Sequence, residues 1–95
     1  MAITFTSSTS STSVTVNDTS HGAIAGDFVT FSNANTGDSS LNTQLNNEFS
    51  ITSITDENSY VITLSANAAA ALSSAGSADA EYQLNVGINT VVPGS

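Results

Sequence analysis

The chemistry open to this chain converges on one short run. Asp18, Ser20 and His21 stand close together, and His21 is the only histidine of the 95 residues. Nucleophilic catalysis needs a nucleophile beside a base that a third group orients. The chain has no Cys and no Lys, so a Ser–His–Asp triad would have to use His21. Its Asp and Ser neighbours are local, and no Gly-x-Ser-x-Gly elbow presents a serine at a strand-to-helix turn. Ser20, His21 and Gly22 read instead as members of a turn, and no catalytic residue is expected.

The acids offer little more. They are Asp18, Asp27, Asp38, Glu48, Asp56, Glu57, Asp79 and Glu81. Glycoside hydrolysis needs two carboxyl groups facing each other across a cleft. Asp56 and Glu57 are adjacent, in a stretch that reads as a hairpin loop where solvation is the default. Zinc prefers several Cys or His ligands, and only His21 is on offer. Calcium takes clustered carboxylates and carbonyls. Asp38 with Asn33 and Asn35, or Asp56 with Glu57 and Asn58, are the two candidate loops, and both sets are also ordinary turn formers. No metal and no cofactor are expected. Gly22 and Gly26 are not followed by the Gly-Lys-Ser/Thr of a phosphate loop and read as turn glycines. Asn17, Asp18 and Thr19 match an N-glycosylation sequon, a match that chance supplies in an Asn- and Thr-rich chain.

Charge excludes further classes. There is no Lys or Arg, and the formal net charge is −8. Phosphate backbones need cationic neutralisation, so no nucleic-acid partner is expected. Anionic membrane surfaces are disfavoured for the same reason. No stretch approaches the roughly 20 apolar residues of a membrane span, and the first residues lack the basic and apolar regions of a secretory signal. Salt bridges to Lys or Arg cannot form, so the fold must rest on apolar packing and hydrogen bonds.

The elements that would position these residues are short strands. Residues 2–7 alternate, with Ile3 and Phe5 on one face. Residues 7–13 are polar and read as a loop, then Val14 and Val16 resume the alternation. Residues 17–22 and 23–27 read as turns, residues 28–31 as a short apolar strand, and residues 32–40 as a polar surface loop. Leu41 and Leu45 sit four apart and predict a single helical turn. Residues 48–55 alternate strictly, with Phe49 and Ile51 facing one way. With the polar link 56–59 and residues 60–64 they predict the clearest hairpin of the chain. Residues 67–76, with an alanine run, read as a helical turn or a loop. Residues 80–88 predict the last strand, with Tyr82, Leu84, Val86 and Ile88 on one face. Thr90, Val91 and Val92 extend it, and Pro93, Gly94 and Ser95 break it.

Together these elements predict an all-β fold: a small barrel or sandwich of six to seven short strands with one or two short helical turns. The length fits a single domain over 1–95. It divides into an N-terminal strand or arm (1–11), a barrel core (12–88) and a C-terminal extension (89–95). The expected core is Phe28, Phe31, Phe49, Ile51, Tyr60, Ile62, Tyr82 and Leu84. The ring of Tyr60 or Tyr82 is expected to pack while its hydroxyl stays wet. Partner contacts are expected at strand edges, with residues 2–7 and 90–92 as the candidates.

Several motifs carry a family resemblance. His21-Gly22-Ala23, Gly26-Asp27 and Val29-Thr30-Phe31-Ser32 resemble the "HGA-x-x-GD-x-V-T-F-S" stretch of small β modules in tailed-phage structural proteins. Leu41-Asn42 followed by Glu48-Phe49 and Ile51-Thr52 is similar to their "LN…E-F-x-I-T" segment. Asp56 with Tyr60 and Ile62-Thr63 is similar to "D-x-x-x-Y-x-I-T". Ala80, Tyr82-Gln83 and Asn85-Val86-Gly87 resemble the closing strand. The likeness spans residues 12–87. In pattern these modules are also similar to the FCCH-type β-barrel half-domain of ubiquitin-activating enzymes, a relation of fold that implies no ubiquitin chemistry. The resemblance implies a virion component: a non-catalytic tail or tail-hub module, spacer or decoration, assembled in the host cytoplasm. It would contact other tail proteins and copies of itself as a homo-oligomer. A module recognising a host receptor or glycan is the alternative. The structural turn residues of the motif are His21, Gly22, Gly26 and Asp27, with Asp27 capping the turn through backbone N–H groups.

Overall fold

Along each principal strand, period-two alternation becomes an inward and an outward face. The computed structural model describes residues 3–84. Strand β1 (Thr4–Ser7) carries Phe5 inward, and β2 (Ser13–Asn17) carries Val14 and Val16 inward. In β3 (Phe28–Asn35) the inward residues are Val29, Phe31 and Ala34. Helix α1 (Ser39–Leu45) follows, then β4 (Glu48–Ser50), β5 (Ser53–Asp56), β6 (Ser59–Thr63), β7 (Leu72–Ala75) and β8 (Ser77–Gln83).

The strands form a five-stranded sheet, β5-β6-β2-β1-β7, and a three-stranded sheet, β4-β3-β8. All pairings are antiparallel. The chain passes from one sheet to the other three times: through the long link from β2 to β3, and by short bends from β4 to β5 across Ile51 and Thr52 and from β7 to β8 across Gly76. Following the ladders therefore returns to the start: β1, β2, β6, bent β5/β4, β3, bent β8/β7 and β1 again. The result is a small barrel in which two of the staves bend between sheets. Gly76 makes one bend possible. Its φ is +85°, and a Cβ there would lie 3.3 Å from the Asn35 carbonyl oxygen.

Phe5, Val14, Val16, Val29, Phe31, Ile51, Tyr60 and Ile62 fill the interior. Phe5 meets Phe31 edge to face, with ring centroids 5.3 Å apart, a favoured aromatic geometry. Leu41 and Leu45 of α1 are fully buried and close one end. A helix of this length cannot hold itself together. Asp38 caps it by accepting from the Leu41 N–H at 2.8 Å. The Asn46 carboxamide, just past its end, accepts from the Ala34 N–H on β3.

Several expectations are corrected. The strand expected near the N-terminus is β1, but it is not the edge expected of residues 2–7: β1 pairs with β2 on one side and β7 on the other. β3 runs on to Asn35, where a loop was expected, because a bulge with Asn33 at φ 55° returns Ala34 to the interior. Residues 48–55 are not one straight strand. Residues 67–76 hold strand β7, which β1 recruits, and β8 begins at Ser77. Phe28 is only half-buried, since the inward parity of β3 belongs to Val29 and Phe31. Leu84 is 69% exposed. It has the parity of Tyr82, but the ladder ends at Gln83 opposite Phe28, the first residue of β3. The end of the expected last strand, residues 85–88, and the expected extension at 89–95 lie outside the described residues.

Candidate functional site

Opposite the helix, the barrel end is built from the link between β2 and β3 and from the β5–β6 hairpin turn. His21 ties the two together. Its Nδ1 accepts from the Ala23 N–H at 3.0 Å. That bond leaves Nε2 as the protonated nitrogen, and Nε2 donates to the Asp56 carbonyl at 2.9 Å. The His21 N–H donates to the Glu57 carbonyl at 3.2 Å. The ring stands edge-on to Tyr60, with centroids 5.1 Å apart. One residue earlier, the Ser20 N–H donates to the Asn58 side-chain oxygen at 3.0 Å. Further along, the Asp27 carboxylate accepts from the Ile24 N–H at 3.2 Å, closing the turn around Gly26. Gly26 has φ +93°, a conformation that a side chain disfavours.

Beneath His21 lies a network that the sequence did not disclose. The Tyr82 hydroxyl donates to the Asp18 carboxylate at 2.5 Å. Tyr82 has one proton to give, so the Tyr60 hydroxyl, 2.9 Å away, donates to Tyr82. Tyr60 is fully buried and Asp18 is 8% exposed. Of the two tyrosines expected to pack with one hydroxyl wet, Tyr60 has an interior hydroxyl, and Tyr82 is only half-buried. Burial raises the pKa of both phenols above the usual tyrosine value. For Tyr82, the bonds to Asp18 and Tyr60 raise it further. No motif signals this arrangement. Asp18 follows one strand, and Tyr82 lies near the end of another.

The structure brings Asp18, Ser20 and His21 to one end of the barrel without assembling a triad. The Asp18 carboxylate holds Tyr82, and both His21 ring nitrogens are engaged by backbone. The candidate cation loops are likewise committed. Asp38 caps α1, and the Asn33 amide donates to Asp79 at 2.9 Å. Asp56 accepts from the Asn58 N–H and the Ser59 hydroxyl. Those bonds, the Asn58 N–H first, lower the Asp56 pKa below its ordinary value. Among the described residues no group of three His, Cys, Asp or Glu could hold a metal, and no helix is long and apolar enough to cross a membrane. The sequon residue Asn17 lies in β2, with its amide bonded to the Thr4 hydroxyl at 3.1 Å.

Of the expected core, Phe31, Ile51, Tyr60 and Ile62 are buried, while Phe49 and Tyr82 pack against them half-buried. Gly22 and His21, with Ser20, Ala23, Ile54 and Glu57, line a shallow groove of about 400 Å3. Ile24, the residue after Ala23, is 63% exposed.

These features define a small two-sheet β module whose polar end is fixed by hydrogen bonds. No family model and no curated protein sequence matches the chain. Among solved structures it is similar to the phage phi92 endosialidase, with a TM-score of 0.66 and 21% identity over 88% of this chain. The chain spans 13% of the length of that protein. A likeness at this identity is one of fold: a phage protein carries a unit of the same architecture.

Proposed function

We propose that this chain is a non-catalytic structural module of a tailed-phage tail, acting through contacts with other virion proteins and with copies of itself. The observation that carries the reading is the use of this fold as a small portion of a phage endosialidase. The ordered motifs at residues 12–87 support the same setting. The chemistry is consistent with it, because the side chains that could do catalysis are occupied in holding the fold. His21 bonds backbone through both ring nitrogens, and Asp18 holds Tyr82. The tail location, the homo-oligomer and assembly in the host cytoplasm belong to this proposal.

The endosialidase likeness also raises glycan recognition. Two properties weigh against it. The chain has no Trp to stack on a sugar, and it has no Lys or Arg to meet a sialic acid carboxylate. Mass spectrometry of purified particles from the phage encoding the chain tests the structural reading. The expected result is the protein at a fixed copy number per particle. Its absence from particles would overturn the proposal.

A further inference from the structure

We infer that the groove between the β2–β3 link and β5 is a docking site for a basic segment of another protein, with an apolar side chain entering beside Lys or Arg. The inference deepens the assembly reading above and rests on it.

Three observations meet at this place. The first is exposure. Among the described residues only Ile24 and Leu84 are large hydrophobics left in solvent, at 63% and 69% exposure. Both belong to the same end of the barrel. Ile24 is bonded to Asp27, and Leu84 follows Gln83, the partner of Phe28. Ile24 directly follows Ala23, a residue that lines the groove, so an apolar side chain seated in the groove would also cover Ile24.

The second is shape and rigidity. The groove, about 400 Å3, has Ala23 and Ile54 among its lining residues. That volume falls within the range of small binding pockets. Its wall is fixed in advance by the His21 bonds to Ala23, Asp56 and Glu57 and by the Ser20 bond to Asn58. A pre-formed wall spares a ligand the cost of ordering it.

The third is charge. Glu57 lines the groove, and Asp56 is exposed beside it. A second copy would bring no Lys or Arg to these acids, because the chain has none. Like charges facing each other across a contact oppose association. The occupant therefore comes from a different protein, and it carries the cations that this chain lacks.

The test is a titration of the full-length 15N-labelled protein with acetyl-Gly-Lys-Leu-Lys-Gly-amide, followed by NMR. Amide shifts are expected at Ser20 to Ile24, Ile54 and Glu57. Replacing the peptide's leucine by glycine, or its lysines by glutamates, should abolish them. Glu57→Gln should weaken the titration by about fivefold, and 0.5 M salt should weaken it in the same direction, as expected for a partly exposed ion pair. Ile24→Ser, beside the groove, should also weaken the titration; Glu57→Gln and Ile24→Ser both alter exposed side chains, and an unchanged spectrum elsewhere verifies the fold. No shifts, or shifts scattered over Asp38, Asp79 and Glu81, would overturn the inference. A concentration-dependent dimer with the same amides perturbed would overturn it in favour of a second copy. If particles contain the protein and the peptide does not bind, the inference fails and the structural role stands. If particles lack the protein, the role itself fails.

Discussion

Tyr82 and Asp18, 64 residues apart in sequence, share a hydrogen bond of 2.5 Å at the polar end of the barrel, and Tyr60 completes the chain at 2.9 Å. Removing the Tyr82 hydroxyl leaves a nearly buried carboxylate without this donor and the Tyr60 hydroxyl without its acceptor. Hydrogen bonds to charged groups contribute more than neutral ones, so Tyr82→Phe should cost about 2–3 kcal/mol and Tyr60→Phe about 1 kcal/mol. Urea denaturation of the two variants measures the order. A larger loss for Tyr60→Phe would show that Tyr82, not Tyr60, is the expendable hydroxyl of the chain.

The same pair governs stability in alkali. Folding raises both phenol pKa values above 10.0, with burial as the first cause in each. The folded state then keeps protons that the unfolded chain releases, so the contribution is whole below about pH 10 and is lost as pH rises beyond it. The chain has no Cys, Lys or Arg, and these are its only tyrosines, so no other side chain titrates in that window. Urea midpoints should be level up to about pH 9.5 and fall above it. The double variant Tyr60→Phe, Tyr82→Phe should lose the fall. A wild-type midpoint that stays level to pH 11 would contradict the buried network.

How much of this was legible in the sequence depends on whether an element carries its own pattern. β2, the first half of β3 and the β5–β6 hairpin alternate by themselves and are flanked by turn residues, so they can be read directly. β7 cannot. Leu72 is its one large apolar residue, and it becomes a strand through pairing with β1. The bend at Ile51 and Thr52 is hidden because the alternation runs through it unbroken. His21 reads as a turn residue, yet its tie to Asp56 exists only because the hairpin turn packs against it. The Asp18–Tyr82 bond has no local signal at all, since only closure of the barrel brings the two strand ends together.

At acid pH the relevant group is Asp56. Bonds from the Asn58 N–H and the Ser59 hydroxyl depress its pKa below 3.8. A depressed carboxyl stabilises the fold above the unfolded value, and the effect is lost as pH falls through the folded one. Asp56→Asn retains an acceptor oxygen but cannot titrate. Thermal melts between pH 5 and pH 2 should therefore decline less steeply for this variant than for the wild type. Parallel declines would mean that the turn gains nothing from the charge.

His21→Ala removes the acceptor of the Ala23 N–H, the donor to the Asp56 carbonyl and the ring against Tyr60. Two hydrogen bonds and an aromatic contact at a partly exposed site should together contribute about 1–2 kcal/mol. Hydrogen exchange at the Ala23 amide should quicken by more than the global loss of stability explains. If the amide stays equally protected, Gly26 and Asp27 fix the turn without the imidazole.

Gly76 and Gly26 separate two ways in which a glycine can be required. Both have positive φ, +85° and +93°, so alanine is strained at either. Strain alone should cost roughly 1–2 kcal/mol, which is the whole effect expected for Gly26→Ala, where a Cβ meets nothing. At Gly76 the added Cβ also meets the Asn35 carbonyl oxygen at 3.3 Å and the Thr36 methyl at 3.4 Å. Gly76 is where β7 hands over to β8, and Asn35 pairs with the next residue, Ser77, so relief would have to come from moving the end of β3 away from the bend. Gly76→Ala should therefore destabilise more than Gly26→Ala in urea denaturation, and Gly76→Val more again. Equal losses at the two glycines would show that the bend has slack, and that close approach of the end of β3 to Gly76 is not what demands glycine there.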